Sequence, residues 1–306
     1  MLDEADRAMI GGFIINKFRG DPALFDEGRR QIARRTGWTD LGMAPWLSAA
    51  QGLPAEDAMA LGRGAASTGL AGRTKIVAPR LSRLANFDDF DALAREAGVD
   101  FAFVAPGQAL PGDADLIILP GSKATLADLA FLRAQGWDID IAAHVRRGGR
   151  VLGVCGGYQM LGRTIADPQG IEGPAAQAEG LGYLDVETVL TGDKTLQATH
   201  GQVLGAPFAG YEIHVGRTTG PDAASDWIID GEGRKLGGAS AHGRIRGAYV
   251  HGLFDAGAAR TALLADIGVV SDGLDQDAVV DVALDEIAAV LESSLDISAL
   301  ERMAGL

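Results

Sequence analysis

The 306-residue chain holds a single cysteine, and the residues around it are unusual: Arg150-Val151-Leu152-Gly153-Val154-Cys155-Gly156-Gly157-Tyr158-Gln159-Met160-Leu161-Gly162. A short apolar run ends in Cys155, two glycines follow, and helical spacing resumes. This reads as strand, sharp turn and helix, with a thiol at the apex. Gly153-x-Cys155-x-Gly157 is the cysteine form of a nucleophile elbow, in which small residues allow a strained turn that presents the sulfur. Backbone N–H groups at the start of the following helix favour a thiolate and an oxyanion. A lone cysteine is more often a buried structural residue. The glycines on both sides argue for the reactive role.

A thiol nucleophile needs a base that is close in space, not in sequence. Five histidines compete. His144 falls within a helical stretch beside Arg146 and Arg147 and is expected at the surface. His200 and His242 fall in polar turns. His214 lies in Tyr211-Glu212-Ile213-His214-Val215-Gly216, where strand alternation puts Glu212 and His214 on one face. His251 ends the run Gly247-Ala248-Tyr249-Val250-His251 just before Gly252, as expected of an imidazole delivered to a site by a strand. Spacing favours His251, with His214 as the alternative. A carboxylate normally orients such an imidazole. The position two beyond His251 is Leu253, so Glu212 on a neighbouring strand is the acid expected to approach. One cysteine and scattered histidines supply no zinc spacing, and no metal site is expected.

These residues must be held by a scaffold, and the pattern from Lys75 onward supplies one. Strands are expected over 75–79, 99–104, 115–120 and 150–154. Helices are expected over 87–98, 122–135 and 137–147. Alternating strands and helices imply an open parallel α/β sheet with sites at the carboxyl ends of its strands. Leu119-Pro120-Gly121-Ser122-Lys123 and the Cys155 elbow both occupy such ends. Gly121 and the N–H groups after it are then candidates for a second oxyanion donor. After residue 182 the character changes to strands at 183–190, 196–204, 210–215 and 227–229 with short turns, an antiparallel extension. A helix follows at 258–267, and residues 272–306 read as an acidic, solvated helical tail. Before residue 50, a strand at 11–18, a helix opened by Asp21-Pro22 and a strand at 41–47 form a parallel crossover. Residues 51–74 are rich in Ala, Gly and Ser and read as a linker, with a short helix at 56–61. Within it, Ser67 to Thr74 has the look of a phosphate loop. It has Ser67 and Arg73 where that loop needs glycine and lysine, and no strand precedes it.

Composition bounds the rest. Hydrophobic residues make up 47% and charged ones 22%, a globular balance with ample material for a core. The net charge of −14 argues against nucleic-acid or anionic-membrane partners. One cysteine forbids an internal disulfide, residues 1–10 lack a signal-peptide pattern, and no apolar run approaches about 20 residues. The expectation is a cytoplasmic protein.

At these residues the sequence resembles the class I glutamine amidotransferase domain of the cobyric acid synthase family. The resemblance is carried by the stretch from Val154 to Gly162, by Tyr211 to Thr218 and by Tyr249 to Phe254. It extends to Gly12 to Asp21, Leu53 to Asp57, Leu119 to Lys123 and Ile165 to Gly173. It covers about residues 10–267. It implies a flavodoxin-like parallel sheet with an antiparallel extension (residues 75–270), preceded by a remnant of a P-loop-type α/β synthetase domain (1–50), the linker (51–74) and a helical tail (271–306). It implies that Cys155 attacks the side-chain amide of L-glutamine and that His251 activates the thiol and protonates ammonia. It places Gly121, Ser122, Gly156, Gly157 and Gln159 around the oxyanion and the glutamine, with Glu212 and His214 in support. Ammonia would then pass to a synthetase domain. There ATP and Mg²⁺ would activate carboxylates b, d, e and g of adenosylcobyrinic acid a,c-diamide. No cofactor is expected in the amidotransferase domain itself. The family's P-loop has no counterpart here, so a full reaction would need nucleotide-binding residues outside this sequence, for instance on a separate chain. Competing expectations are the amidotransferase subunit of a peptidoglycan-precursor amidating complex, a catalytically silent docking fragment, and a Gly-x-Cys-x-Gly hydrolase. The synthetase-like stretch at Gly12 to Asp21 argues against the first. The last would need an acid with its own strand-end signal between Cys155 and His251, and none stands out.

Overall fold

The computed structural model describes residues 3–54 and 72–306. The expected helix at 56–61, the phosphate-loop look-alike beginning at Ser67, most of the 51–74 linker and the stretch from Leu53 to Asp57 fall wholly or largely outside the described residues. The chain forms two compact units, residues 1–54 with 277–306, and residues 55–276.

The first unit opens with α1 (Glu4–Ala8), followed by β1 (Gly12–Phe18), α2 (Asp26–Thr36) and β2 (Thr39–Pro45). Asp21 caps the turn before α2 by accepting from the Ala23 N–H, and Pro22 sits at its first position. Gly37 ends α2 in the left-handed region, φ 77°. β1 and β2 pair in parallel, as the crossover reading expects.

The second unit begins with β3 (Thr74–Pro79), β4 (Leu84–Ala85), a 3-10 turn (Phe87–Phe90), α3 (Asp91–Arg95) and β5 (Val99–Val104). Next come β6 (Leu116–Leu119), β7 (Gly121–Ser122), α4 (Thr125–Ala134), α5 (Trp137–Arg146), β8 (Arg150–Val154) and α6 (Gly156–Leu161). β9 (Thr164–Asp167), β10 (Ala176–Glu179), β11 (Glu187–Val203), β12 (Ala206–Thr219) and β13 (Ile228–Asp230) make most of the extension. The unit closes with β14 (Gly237–Ala239), β15 (Ile245–Ala248), β16 (Val250–His251) and α7 (Gly257–Ala265).

One sheet runs β14-β15-β8-β6-β3-β5. Its five strands from β15 to β5 are parallel, and β14 is antiparallel at the edge. Read by chain order, the parallel strands stand 2-1-3-4-5, the flavodoxin-like arrangement. Alternate residues serve opposite faces. Ile76, Ala78, Leu152 and Val154 enter one core cluster, while Val77, Ile117, Leu119 and Val151 enter the other. The second sheet runs β10-β9-β11-β12-β16, with β13 on β11. β11 and β12 form one long antiparallel hairpin rather than several short strands. Among the described residues no helix is long and apolar enough to cross a membrane.

Residues 272–306 are helical and mostly exposed, as expected, but are not a free tail. They form α8 (Gln276–Ser294) and α9 (Ile297–Ala304), and the 277–306 part belongs to the first unit. Gly42 of β2 bridges Leu295, and the Asp296 N–H donates to the Leu41 carbonyl at 2.9 Å. Gly42 has φ 118°, and a Cβ there would stand 2.4 Å from the Ser294 carbonyl oxygen. Glycine is what lets the strand backbone approach the end of the helix so closely.

Candidate active site

Four strands of the parallel sheet converge at their carboxyl ends. β8 delivers Cys155, β6 leads to Gly121, β3 leads into the segment from Leu84 to Phe90, and β15 runs on to His251. This is where open α/β sheets place their ligands.

Cys155 adopts φ 51° and ψ −110°, a strained conformation for a residue with a side chain. Its surroundings enforce it. The Cys155 N–H donates to the Ala248 carbonyl at 2.8 Å, and α6 starts at the next residue. α6 lies so close to the sheet that a Cβ on Gly157 would stand 2.0 Å from the Leu119 carbonyl oxygen. A Cβ on Gly153 would stand 2.6 Å from the Gly157 carbonyl oxygen. The glycines of the elbow therefore serve close packing of strand against helix. The thiol is 8% exposed and donates to the Ile213 carbonyl of β12 at 3.4 Å.

His251 is 1% exposed and ends β16, which pairs with β12 so that His251 faces Tyr211. Gly252 follows with φ 71°. The imidazole Nδ1 lies 2.7 Å from an Asp89 carboxylate oxygen. The other Asp89 oxygen accepts the Gly252 N–H at 2.8 Å. Nε2 has no hydrogen-bond partner among the described residues, and Cys155 is a second ionisable group acting on the ring. Burial works against a charged ring, yet the Asp89 carboxylate bonded to it and the nearby Cys155 push the His251 pKa up to about 10. Tyr211 stacks on the ring, with centroids 5.3 Å apart.

A cleft of about 520 Å³ opens beside the thiol, within the usual size of small-molecule sites. Arg83, Lys123 and Lys194 bring positive charge to its lining, Glu172 brings negative charge, and Ile213 and His214 of β12 form one wall. The Glu172 carboxylate accepts from the Thr125 hydroxyl and the Leu126 N–H, both at 3.2 Å, at the start of α4. Burial raises the pKa of Glu172, opposed by these hydrogen bonds.

The other expected site residues stand as follows. A Cβ on Gly121 would come within 3.3 Å of His251 Cε1, and a Cβ on Gly156 within 3.1 Å of the Ser122 N, so both glycines line the thiol's surroundings. Gly157 instead packs against β6. The Ser122 hydroxyl donates to Asp128 at 2.6 Å and accepts from the Ala124 N–H, so it is engaged in shaping its own loop. Gln159 lines the cleft, but its amide is tied up. The oxygen accepts from Thr125, and the nitrogen donates to the Val215 carbonyl and the Tyr249 hydroxyl.

Glu212 does not orient His251. Its carboxylate takes hydrogen bonds from Gln197, Thr199 and Arg234, and His214 Nε2 lies 3.6 Å away. Burial opposes ionisation there, but the nearby His214 and the bonds from Arg234 and Gln197 hold the carboxyl below its ordinary range. Alternation explains the direction: Tyr211 and Glu212 are adjacent on β12, so if one faces His251 the other faces away. His214 stacks on Tyr249 at 3.8 Å and belongs to the cleft wall. His144 is buried rather than superficial, because its Nε2 reaches the Arg150 carbonyl at 2.9 Å. His200 lies in β11, exposed, and His242 is exposed in a turn.

The sequence reading gave Asp89, Glu172 and Tyr211 no place in the site. Asp89 falls at the start of the stretch 87–98 expected to be a helix, where an acidic residue is ordinary. The signal that marks it is position, since it follows the carboxyl end of the first parallel strand.

CobB/CobQ-like glutamine amidotransferase domains match residues 75–259. The cobyric acid synthase of Caulobacter sp. (strain K31) is 65% identical over all of this chain and 63% of its own length. That of Novosphingobium aromaticivorans is 55% identical over 99% of this chain and 62% of its own length. The chain thus spans less than two thirds of these relatives. Among solved structures, PurLQS from Thermotoga maritima aligns over 72% of this chain and 99% of its own at 18% identity and a TM-score of 0.47. With more than half of its length matched by that one domain type, the chain belongs to the CobB/CobQ-like glutamine amidotransferase family.

Proposed function

We propose that this chain hydrolyses L-glutamine to glutamate and ammonia, as the ammonia-producing part of a cobyric acid synthase. The Cys155 thiolate attacks the side-chain amide carbon of glutamine. Its oxyanion is held by backbone N–H groups near Gly156 and Gly121. His251 gives a proton to the departing nitrogen, ammonia leaves, and a γ-glutamyl thioester remains. Water, deprotonated by His251, cleaves the thioester and returns the thiol. The cleft's mixed charge suits an amino acid: Glu172 for the α-ammonium, and Arg83, Lys123 or Lys194 for the α-carboxylate.

The ammonia then amidates carboxylates b, d, e and g of adenosylcobyrinic acid a,c-diamide, an ATP-dependent step in cobalamin biosynthesis. The relatives named cobyric acid synthase support this assignment. Among the described residues no group of three or more His, Cys, Asp or Glu is arranged to hold a metal ion.

The observation that carries the hydrolytic reading is the strained cysteine beside a cleft, with a buried histidine held by a carboxylate behind it. The test is ammonia release from glutamine by the purified chain and by Cys155→Ala. Equal release by the two would remove Cys155 as the nucleophile.

A further inference from the structure

We infer that Asp89 is the positioning acid of this site, completing a Cys155–His251–Asp89 constellation in which the acid precedes the nucleophile in the chain. The inference rests on the proposed hydrolysis and names the group that tunes its base. Such constellations are recognised by geometry and roles rather than by order along the chain.

Three observations support it. Asp89 is 5% exposed and spends both carboxylate oxygens on the same strand end, one on His251 Nδ1 at 2.7 Å and one on the Gly252 N–H at 2.8 Å. It thereby fixes the ring and the turn that aims it. A bond at Nδ1 to an acceptor-only group puts a proton on Nδ1 and leaves Nε2 to serve the thiol. Second, the segment carrying Asp89 is itself built into the site. β4 pairs with β7, setting Ala85 opposite Gly121, and Asn86 Nδ2 donates at 2.7 Å to the hydroxyl of Tyr211, the ring stacked on His251. One short segment therefore braces the imidazole at its edge and through its stacking partner. Third, among the described residues few charged or titratable groups act on the ring. Asp89 and Cys155 act on it directly, Tyr211 covers one face, and Asp88 and Asp255 stand near Tyr211. Of these, Asp89 is the one at Nδ1.

Asp89→Asn is the informative substitution because it keeps size and the option of one bond. If its oxygen accepts the Gly252 N–H, its NH₂ faces Nδ1 and forces the proton to Nε2, the tautomer that cannot accept from a thiol. If it turns over, its NH₂ opposes the Gly252 N–H. We expect Asp89→Asn to lower kcat for glutamine hydrolysis by about 100-fold or more while KM changes less than about threefold. The rate of Cys155 alkylation by a glutamine-analogue chloroketone should fall with it. The basic limb of the pH profile should move to lower pH, because His251 loses the partner that holds its proton. A kcat within about threefold of the parent and an unmoved basic limb would overturn the inference, provided Cys155→Ala is inactive. If Cys155→Ala is fully active, the hydrolytic reading has failed instead, and the inference falls with it. A measurement that needs no variant covers misfolding of Asp89→Asn. In the ¹⁵N-labelled parent chain, both ring nitrogens of His251 should carry protons at pH 8. A bare Nδ1 at that pH would equally overturn the assignment.

Discussion

Tyr211 lies flat against His251, with centroids 5.3 Å apart and planes 19° from parallel. Its hydroxyl accepts from Asn86 at 2.7 Å. The register of β12 against β16 makes this contact unavoidable, since Tyr211 and His251 are directly paired. The imidazole is thus held across its face as well as along its edge.

This separates two substitutions. Tyr211→Phe keeps the stack and loses one hydrogen bond, so kcat for glutamine should stay within about threefold of the parent. Tyr211→Ala leaves room for the ring to shift, and displacements of about 1 Å at a reacting group cost up to about 100-fold in rate. We expect a loss of about tenfold or more for Tyr211→Ala. Equal rates for the two variants would mean that the stack positions nothing.

Glu172 is the negative group of the cleft and also caps α4 through the Leu126 N–H. Its pKa is raised by burial, so it takes up a proton at higher pH than an exposed glutamate would. If its carboxylate receives the α-ammonium of glutamine, KM should rise as pH falls, beginning above the ordinary glutamate range. Glu172→Gln should raise KM by about tenfold or more at neutral pH and abolish that acidic dependence, with kcat little changed. An unchanged KM would confine Glu172 to capping.

The parts of this site that were legible in the sequence are those set by local backbone demands. The elbow brings α6 so close to the sheet that a Cβ on Gly153 or Gly157 would clash, so the glycines around Cys155 announce it. His251 was separable from His214 because a strand that ends in glycine aims its last side chain. Asp89 was not legible, because its role depends on tertiary placement. Its 3-10 turn and α3 together resemble a single capped helix, and an acid near a helix start is common. The hairpin of β11 and β12 was misread as several strands because Gly192-Asp193-Lys194 has the composition of a turn. The chain passes through it in extended form, with the pairing irregular between Val189 and Lys194. His144 was misplaced because a neighbouring charge says nothing about a carbonyl that only the folded chain brings near.

A buried ion pair anchors the segment that follows His251. Arg260 and Glu96 are each 2% exposed and bonded at 2.6 Å. The same guanidinium donates to the Phe254 and Leu274 carbonyls and to Asp272. Removing one partner strands the other charge away from water, which typically costs about 3–5 kcal/mol. Arg260→Ala should lose about that much stability in urea titration, whereas replacing both partners, as in Arg260→Met with Glu96→Gln, should cost less. A loss under about 1 kcal/mol for the single variant would mean that solvent reaches the pair.

The backbone at Cys155 gives a test of whether strain is stored at the nucleophile. At φ 51° and ψ −110°, a residue with a Cβ pays roughly 1–3 kcal/mol that glycine does not. Glycine carries its own penalty of about 0.5–1 kcal/mol through the freedom it regains on unfolding. Both Cys155→Gly and Cys155→Ala remove the sulfur, so comparing them cancels the lost packing of Sγ and leaves the backbone difference together with the burial of one methyl group, about 0.8 kcal/mol. If the strain is real, Cys155→Gly should be at least as stable as Cys155→Ala, by up to about 2.5 kcal/mol, with both inactive toward glutamine. If the turn were relaxed, the order would invert, and Cys155→Ala would be favoured by up to about 1 kcal/mol as at an ordinary site. The hydrogen bond from the Cys155 N–H to Ala248 is present in either variant, so it does not bias the comparison. Strain at the nucleophile that glycine releases and alanine does not would mean that packing elsewhere in the sheet holds the thiol in its working position.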